Sequence, residues 1–295
     1  MRLKRGQITQ GIAFGIFSGA ILLIAFVFFA ILFLIISNGI PVISFEFLFG
    51  EPGSDVEKGL SLQIQGTLLV SGLGTFLAMV LGLTTAIYLV EYASKTSRFV
   101  KMINVSLANL AGIPAIMFGL FAYAFFVQFI GQYIDWFQPN TFMGILSMAL
   151  LEFPIIVQAS KDALLRVPEG FKMAAYAVGA TKWQAIRLQV LPYAWPGVIT
   201  GTILALARGI GETATIIFIG AQFRIVGLTM VGLTSPFSTL SMELYSYLKS
   251  YPLDTIPLQY GIALMLLILT LVFNLLATFV RRRYQKKTAA YLRHG

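Results

Sequence analysis

Five stretches of this chain contain no charged residue: 6–45, 59–90, 102–134, 188–207 and 255–280. Each reaches or exceeds the ~20 residues that an α-helix needs to cross a bilayer's hydrocarbon core. A sixth stretch, 141–159, is apolar apart from Glu152. Within lipid, backbone donors and acceptors must be satisfied inside the chain, so continuous apolar runs of this length are read as helices. The expected fold is therefore all-α: a polytopic membrane helix bundle with six transmembrane helices at about 11–36, 64–90, 104–130, 141–159, 195–220 and 256–280. Composition agrees, since 11% of residues are charged where a soluble domain carries roughly 25%.

The first run follows Arg2, Lys4 and Arg5, as the core of a secretory signal does. Its apolar length is about twice that of such a core, and no small-x-small cleavage pattern closely follows it. It is expected to stay as an anchor.

The net charge of +9 is distributed by topology. Six spans put both ends on one side. That side collects the N-terminal tail at +3, 91–103 at +2, 160–192 at +3 and the tail after 280 at +6, a total of +14. The other side collects 37–63 at −3, 131–140 at −1 and 221–255 at zero, a total of −4, and Glu152, Arg208 and Glu212 within the spans add −1 to recover +9. By the positive-inside rule both termini are cytoplasmic. The basic excess then has no need of nucleic acid, and none is expected as a partner. With no cysteine, and a single histidine at His294, disulfides, thiolate chemistry and Cys/His metal sites are not expected.

The spans form a single transmembrane domain over 1–295, with outer loops at about 37–63 and 221–255. Segment 224–254 is polar and turn-rich, is expected outside the core, and has room for a short interfacial helix near Leu240–Leu248. Glycines within the spans, among them Gly66, Gly74, Gly82, Gly197, Gly201 and Gly209, suggest closely packed helices.

The cytoplasmic loop at about 160–192 is the most structured by pattern. Pro168 suits a helix's first turn, Phe171, Ala174, Ala175 and Val178 recur at helical spacing, and Gly179 supplies a stop. Thr181 can cap a second short helix, which Pro192 ends or kinks. By pattern alone this unit serves equally well as a docking element or as an amphipathic element lying on lipid.

The run Ala174-Ala175-Tyr176-Ala177-Val178-Gly179, nine residues, then Gln189-Val190-Leu191-Pro192 resembles the EAA signature of binding-protein-dependent ABC importer permeases. Met173 stands where that signature has Glu, and Gln189 where Ile is common. "IYLVEYASK" (87–95), "AGIPAIMFGLFAYAF" (111–125), "LEFPIIVQ" (151–158), "AAYAVGATKWQAI" (174–186) and "ALARGIGETA" (205–214) resemble the PstA-type branch, the permeases of bacterial phosphate importers. The resemblance spans about 64–280.

That resemblance implies the type I (MetI-like) permease fold and a loop that couples to an ATPase through Ala174, Ala175, Gly179, Lys182, Leu191 and Pro192. It also implies an assembly with a second, homologous permease subunit (PstC-like), two ATPase subunits (PstB-like) and an extracytoplasmic phosphate-binding protein (PstS-like). The chain carries no G-x4-G-K-[ST] loop, so ATP and Mg²⁺ would be held by the partner and this chain would have neither cofactor nor catalytic site.

Inorganic phosphate would pass Arg208, Glu212, Thr213, Gln158 and Glu152. Arg208 and Glu212 are four apart, so on one helix they share a face. The pair is read either as a structural salt bridge inside the bundle or as part of an anion path, with Glu212 orienting the guanidinium. Arginine suits the path because it stays ionised and offers a planar fork to two oxyanion oxygens. Thr213 would add a hydroxyl. Gln158 stands where members of the branch can carry Arg. Glu152 could pair with Arg208 or Lys161, line the cavity as a repulsive gate, or face the partner subunit.

The arginine would equally suit a molybdate or sulfate permease. An ion-coupled secondary transporter would want an inverted repeat, which the sequence does not display. An intramembrane enzyme would want a nucleophile with its base, or a metal cluster.

Overall fold

The computed structural model describes residues 5–50, 59–94, 96–134, 136–219, 230–250 and 255–294, with side chains described over the same stretches except at 5–9, 250 and 284–294. Among these residues the chain is helical and has no strand. In order come α1 (Arg5–Gly39), α2 (Phe45–Phe49), α3 (Ser61–Ile87), α4 (Arg98–Ala111), α5 (Ala115–Ala122), α6 (Thr141–Leu165), α7 (Glu169–Ala177), α8 (Lys182–Ala185), α9 (Leu191–Ile210), α10 (Leu240–Ser250) and α11 (Ile256–His294). π-Helical turns extend α3 through Tyr88–Tyr92 and α5 through Tyr123–Ile130, and another at Ile186–Val190 joins α8 to α9.

Five of the six expected spans are continuous helices: Gln10–Val42, Ser61–Tyr92, Thr141–Leu165, Lys182–Ile210 and Ile256–Arg283. The span expected at 104–130 is instead broken, with Arg98–Ala111 and Ala115–Ile130 meeting at 106°. Gly112 caps α4, and Pro114, with φ −55° and ψ 135°, precedes α5. Proline disfavours helical geometry in the residue before it, so the break has a local cause. The 14-residue α4 would extend only about 21 Å, short of the ~30 Å hydrocarbon core. The span expected at 195–220 ends early, at Ile210, with Gly211 as its cap.

The bundle's centre is α3, α6 and α9, and α1 lies outermost against α11. Glycine makes the close approach possible. A Cβ added at Gly74 would lie 2.7 Å from the Met148 Cβ, and one at Gly201 would lie 2.5 Å from the Ala159 Cβ. Without water between helices, packing rather than hydrophobic expulsion holds the bundle together. The large apolar side chains of α1, such as Phe14, Phe26 and Phe33, are exposed, as a lipid-facing helix requires.

The segment before and through α10 departs from expectation. Phe237, Leu240 and Met242 are completely buried, and Leu240 and Tyr247 pack with Phe47, Leu60 and Ile262. The short helix at Leu240–Leu248 therefore exists but belongs to the core. Its approach satisfies backbone groups that the helix ends leave open. The Thr141 and Phe142 amides donate to the carbonyls of Ser235 (3.0 Å) and Leu233 (2.9 Å), and the Leu240 amide donates to the Thr67 hydroxyl (2.9 Å). Part of loop 37–63 is likewise covered, since Phe47 is buried. Pro52, Gly53 and the acids Glu51, Asp55 and Glu57 lie outside the described residues.

Candidate substrate path and coupling surface

Arg208 lies in the last turn of α9 with its side chain exposed. Leu204, one turn earlier and also exposed, shares its face. Leu204 borders a cleft of about 360 Å³ that runs along α9 past Gly201, Thr200 and Gly197 to Tyr193, facing Asp162 and Arg166 of α6 and Arg281 of α11. The guanidinium thus stands one turn beyond the end of a partly polar groove.

The expected pairing with Glu212 is not formed. Between described residues the one ion pair is Lys172–Glu91. Because α9 ends at Ile210, Glu212 has left the helix and no longer shares a face with Arg208. Its Oε1 instead accepts from the Thr215 amide at 3.2 Å. Glu212 therefore shapes the turns after α9, and the structure gives it no orienting contact with the guanidinium. Thr213 is half-buried in those turns. Thr215 fixes them to α5 by donating its hydroxyl to the Ala115 carbonyl at 3.1 Å.

A Cβ at Gly119 of α5 would lie only 2.3 Å from the Thr215 carbonyl oxygen. Gly119→Val is therefore expected to destabilise the fold by about 1–3 kcal/mol, the usual range for overpacking. A lowered midpoint of thermal unfolding in detergent would be the readout, and an unchanged midpoint would contradict the close contact.

Glu152 is the acid that the structure puts against α9. It is 1% exposed, and a Cβ at Gly209 would lie 2.3 Å from its Oε1. Thr75 of α3 brings its hydroxyl beside the carboxyl, and Arg208 and Glu212 contribute opposing fields there. No hydrogen bond of good geometry forms, however, and both Glu152 oxygens, Thr75 Oγ1 and Ser147 Oγ are buried without partners among the described residues. Of the expected counter-groups, Lys161 is engaged elsewhere, donating to Asn104 Oδ1 at 2.5 Å. Gln158 is exposed one turn before Asp162 and donates to its Oδ1 at 3.0 Å. Glu152 thus meets the last turn of α9 beside Arg208, while Gln158 lies further along α6 and is bonded to Asp162.

The coupling loop folds largely as its sequence indicates. Pro168 precedes α7 as its cap rather than entering the first turn. At the other end the Ala180 amide donates to the Ala175 carbonyl (3.1 Å) and the Gly179 amide to the Tyr176 carbonyl (3.0 Å). These are the two bonds of a Schellman motif, which requires a left-handed residue. Gly179 supplies it at φ +81°. Thr181 and Gln184 then form a capping box, with the Thr181 amide donating to Gln184 Oε1 at 2.7 Å and the Gln184 amide to Thr181 Oγ1 at 3.4 Å.

Pro192 does not end the second helix. It lies at the start of α9 just after the π-turn, and the helix runs unbroken from Lys182 to Ile210. The π-turn is the kind of irregularity that accommodates a missing donor.

Of the expected docking residues, Ala174, Gly179, Lys182 and Pro192 are exposed, Leu191 is half-buried and Ala175 is buried. Ala175 consequently belongs to the packing beneath the surface. Met173, Val178 and Trp183 join the exposed set, at 66%, 85% and 50%.

The chain matches the family of binding-protein-dependent transport system inner membrane components over residues 74–289. It is 31% identical to the phosphate transport system permease protein PstA of Haemophilus influenzae over 87% of each chain. It is 32% identical to phosphate transport system permease protein PstA 1 of Mycobacterium tuberculosis over 76% of this chain and 70% of that protein. Among solved structures, the inward-facing MetNI methionine ABC transporter aligns with a TM-score of 0.61 at 20% identity, over 75% of this chain and 94% of that one. A bacterial alginate ABC transporter aligns with a TM-score of 0.62 at 16% identity, over 96% and 98%. The helices, the glycine-packed core and the capped loop are thus those of an ABC importer permease subunit, and the chain belongs to the binding-protein-dependent transport system inner membrane components.

Proposed function

We propose that the chain is the PstA-type subunit of an ATP-driven phosphate importer. The observation that carries this reading is Arg208, exposed one turn above the α9 cleft with no acid in ion-pair range among the described residues, in a chain whose relatives include phosphate permeases. A cation lacking a fixed counter-ion is available to an anion. It need not bind tightly, because a transport path must release what it holds.

In this reading both termini and α7–α8 are cytoplasmic. Two ATPase subunits (PstB-like) supply hydrolysis, with ATP and Mg²⁺ on them, and one seats on the exposed face of α7 and α8. A second permease (PstC-like) completes the path, and a phosphate-binding protein (PstS-like) delivers the anion. ATP and phosphate each act by favouring one state of the bundle. Glu152 packs against Gly209, the residue next to Arg208, and forms no ion pair with that arginine. Thr213, in the turns after α9, would extend the route beyond Arg208, and Gln158, bonded to Asp162 of the cleft wall, would border its other end.

Proteoliposomes containing the purified complex should accumulate labelled phosphate when ATP is supplied to the ATPase side. Excess arsenate should suppress uptake, whereas sulfate and molybdate should leave it nearly unchanged. Uptake suppressed by molybdate or sulfate would assign another oxyanion, and uptake without ATP would contradict the importer class.

A further inference from the structure

We propose that Glu91 and Lys172 form a strap that ties the coupling segment to α3, so that ATPase motion reaches α3 in step with α6 and α9, which are continuous with that segment. The proposal rests on the reading of α7–α8 as the ATPase-docking segment. Lys172, on α7, donates to Glu91 Oε1 at 2.5 Å across 81 residues of sequence. The pair is sheltered, with side chains 21% and 5% exposed. Removing one partner of such a pair strands the other's charge, so the contact resists opening. Beside it, the Lys182 ammonium of α8 lies 4.7 Å from the ring centre of Tyr92. Both short helices are thus fastened to consecutive residues of one element.

That element is the π-helical turn Tyr88–Tyr92 closing α3. Such turns occur often at functional sites. α3 packs along α6 through Gly74 against Met148 and Gly82 against Ile156, and it carries Thr75 beside Glu152. Motion of α8 passes to α9 by covalent continuity through the π-turn at Ile186–Val190. α7 follows α6 directly through residues 166–168, and Phe171 packs on the cluster that holds Ala86 and Ile87 of α3. No polar contact other than the Glu91–Lys172 pair fixes α7 to the end of α3 between described residues. The pair supplies that link, which makes both groups positioning residues for transport.

The test is the number of labelled phosphate ions imported per ATP hydrolysed by the complete complex in proteoliposomes. Glu91→Gln and Lys172→Gln should each lower this ratio about tenfold, a common size for coupling between sites, while the ATPase subunits still copurify. The reversed pair, E91K with K172E, should restore the ratio to within about twofold, as expected for residues that act as a pair. An unchanged ratio in the single variants, or a reversed pair as poor as they are, would overturn the strap.

Should the single variants fail to assemble, the chain's lack of cysteine allows E91C with K172C. Joining the two thiols with a short bifunctional reagent should raise the ratio, and no rise would overturn the proposal. A wild-type complex that hydrolyses ATP and imports no phosphate would contradict the proposed function instead, before any variant is made.

Discussion

Replacing Arg208 by alanine is expected to abolish phosphate uptake while the complex still assembles. A guanidinium fork can make two charge-assisted hydrogen bonds to a tetrahedral oxyanion, each worth about 1.5–3 kcal/mol. Losing both corresponds to a fall of at least ~100-fold, since each 1.4 kcal/mol is a factor of ten. The fold should tolerate the change, because Arg208 is exposed and forms no ion pair between described residues. Arg208→Lys keeps the charge without the fork, and its uptake should lie nearer the alanine variant than the parent. Initial uptake rates, normalised to the complex recovered by copurification, check both. Normal uptake by the alanine variant would remove Arg208 from the path.

The second large effect is expected at Gly179, where two separable costs meet. The residue sits at φ +81°, so any side chain incurs about 1–2 kcal/mol for left-handed backbone. Its Cβ direction is open, with nothing within 4 Å. Gly179→Ala should therefore loosen the α7–α8 turn only modestly and leave some coupling. Gly179→Trp starts from the same open Cβ direction, and a loss well beyond the alanine variant's is expected from its bulk at the docked ATPase. Retention of the ATPase on the immobilised complex, together with ATP turnover, is the measurement. Equal retention by the alanine and tryptophan variants would place the ATPase elsewhere.

What could be read from the sequence was whatever short-range chemistry decides. The α7–α8 unit follows from Gly179, Thr181 and Gln184, whose bonds span five residues or fewer. Four of the continuous spans follow from charge-free runs and the fifth, Thr141–Leu165, from an apolar run that holds Glu152, because lipid imposes one solution on them. The other errors share a cause: a long apolar window outweighed a local breaker inside it. Gly112 and Pro114 bend the third expected span, whose window is free of charge, and Gly211 ends the fifth, whose window carries only Arg208 and Glu212. The lost Arg208–Glu212 pair follows directly, since four-residue spacing brings side chains together only where the helix continues.

The remaining features depend on tertiary contacts. Nothing in "LSMELYSYLKS" indicates that Leu240 and Met242 pack beneath the bundle's end. The partner of Lys172 lies far away in sequence, at Glu91, and Glu152 meets α9 only because Gly209 leaves it room. Arg208, the arginine proposed for the path, was legible as a charge in an apolar run. Its surroundings were not, because the cleft draws its walls from α6, α9 and α11 at once.

The most direct test is whether phosphate's aqueous route reaches position 208. Since the chain has no cysteine, Arg208→Cys places a single thiol in it, and reactivity with a small membrane-impermeant anionic thiosulfonate can be followed on this subunit within the complete complex. The thiol should react from one aqueous side in the resting state, and its rate should change when ATP is bound without hydrolysis. A thiol inert from both sides, in resting and ATP-bound complexes alike, would contradict a path through Arg208.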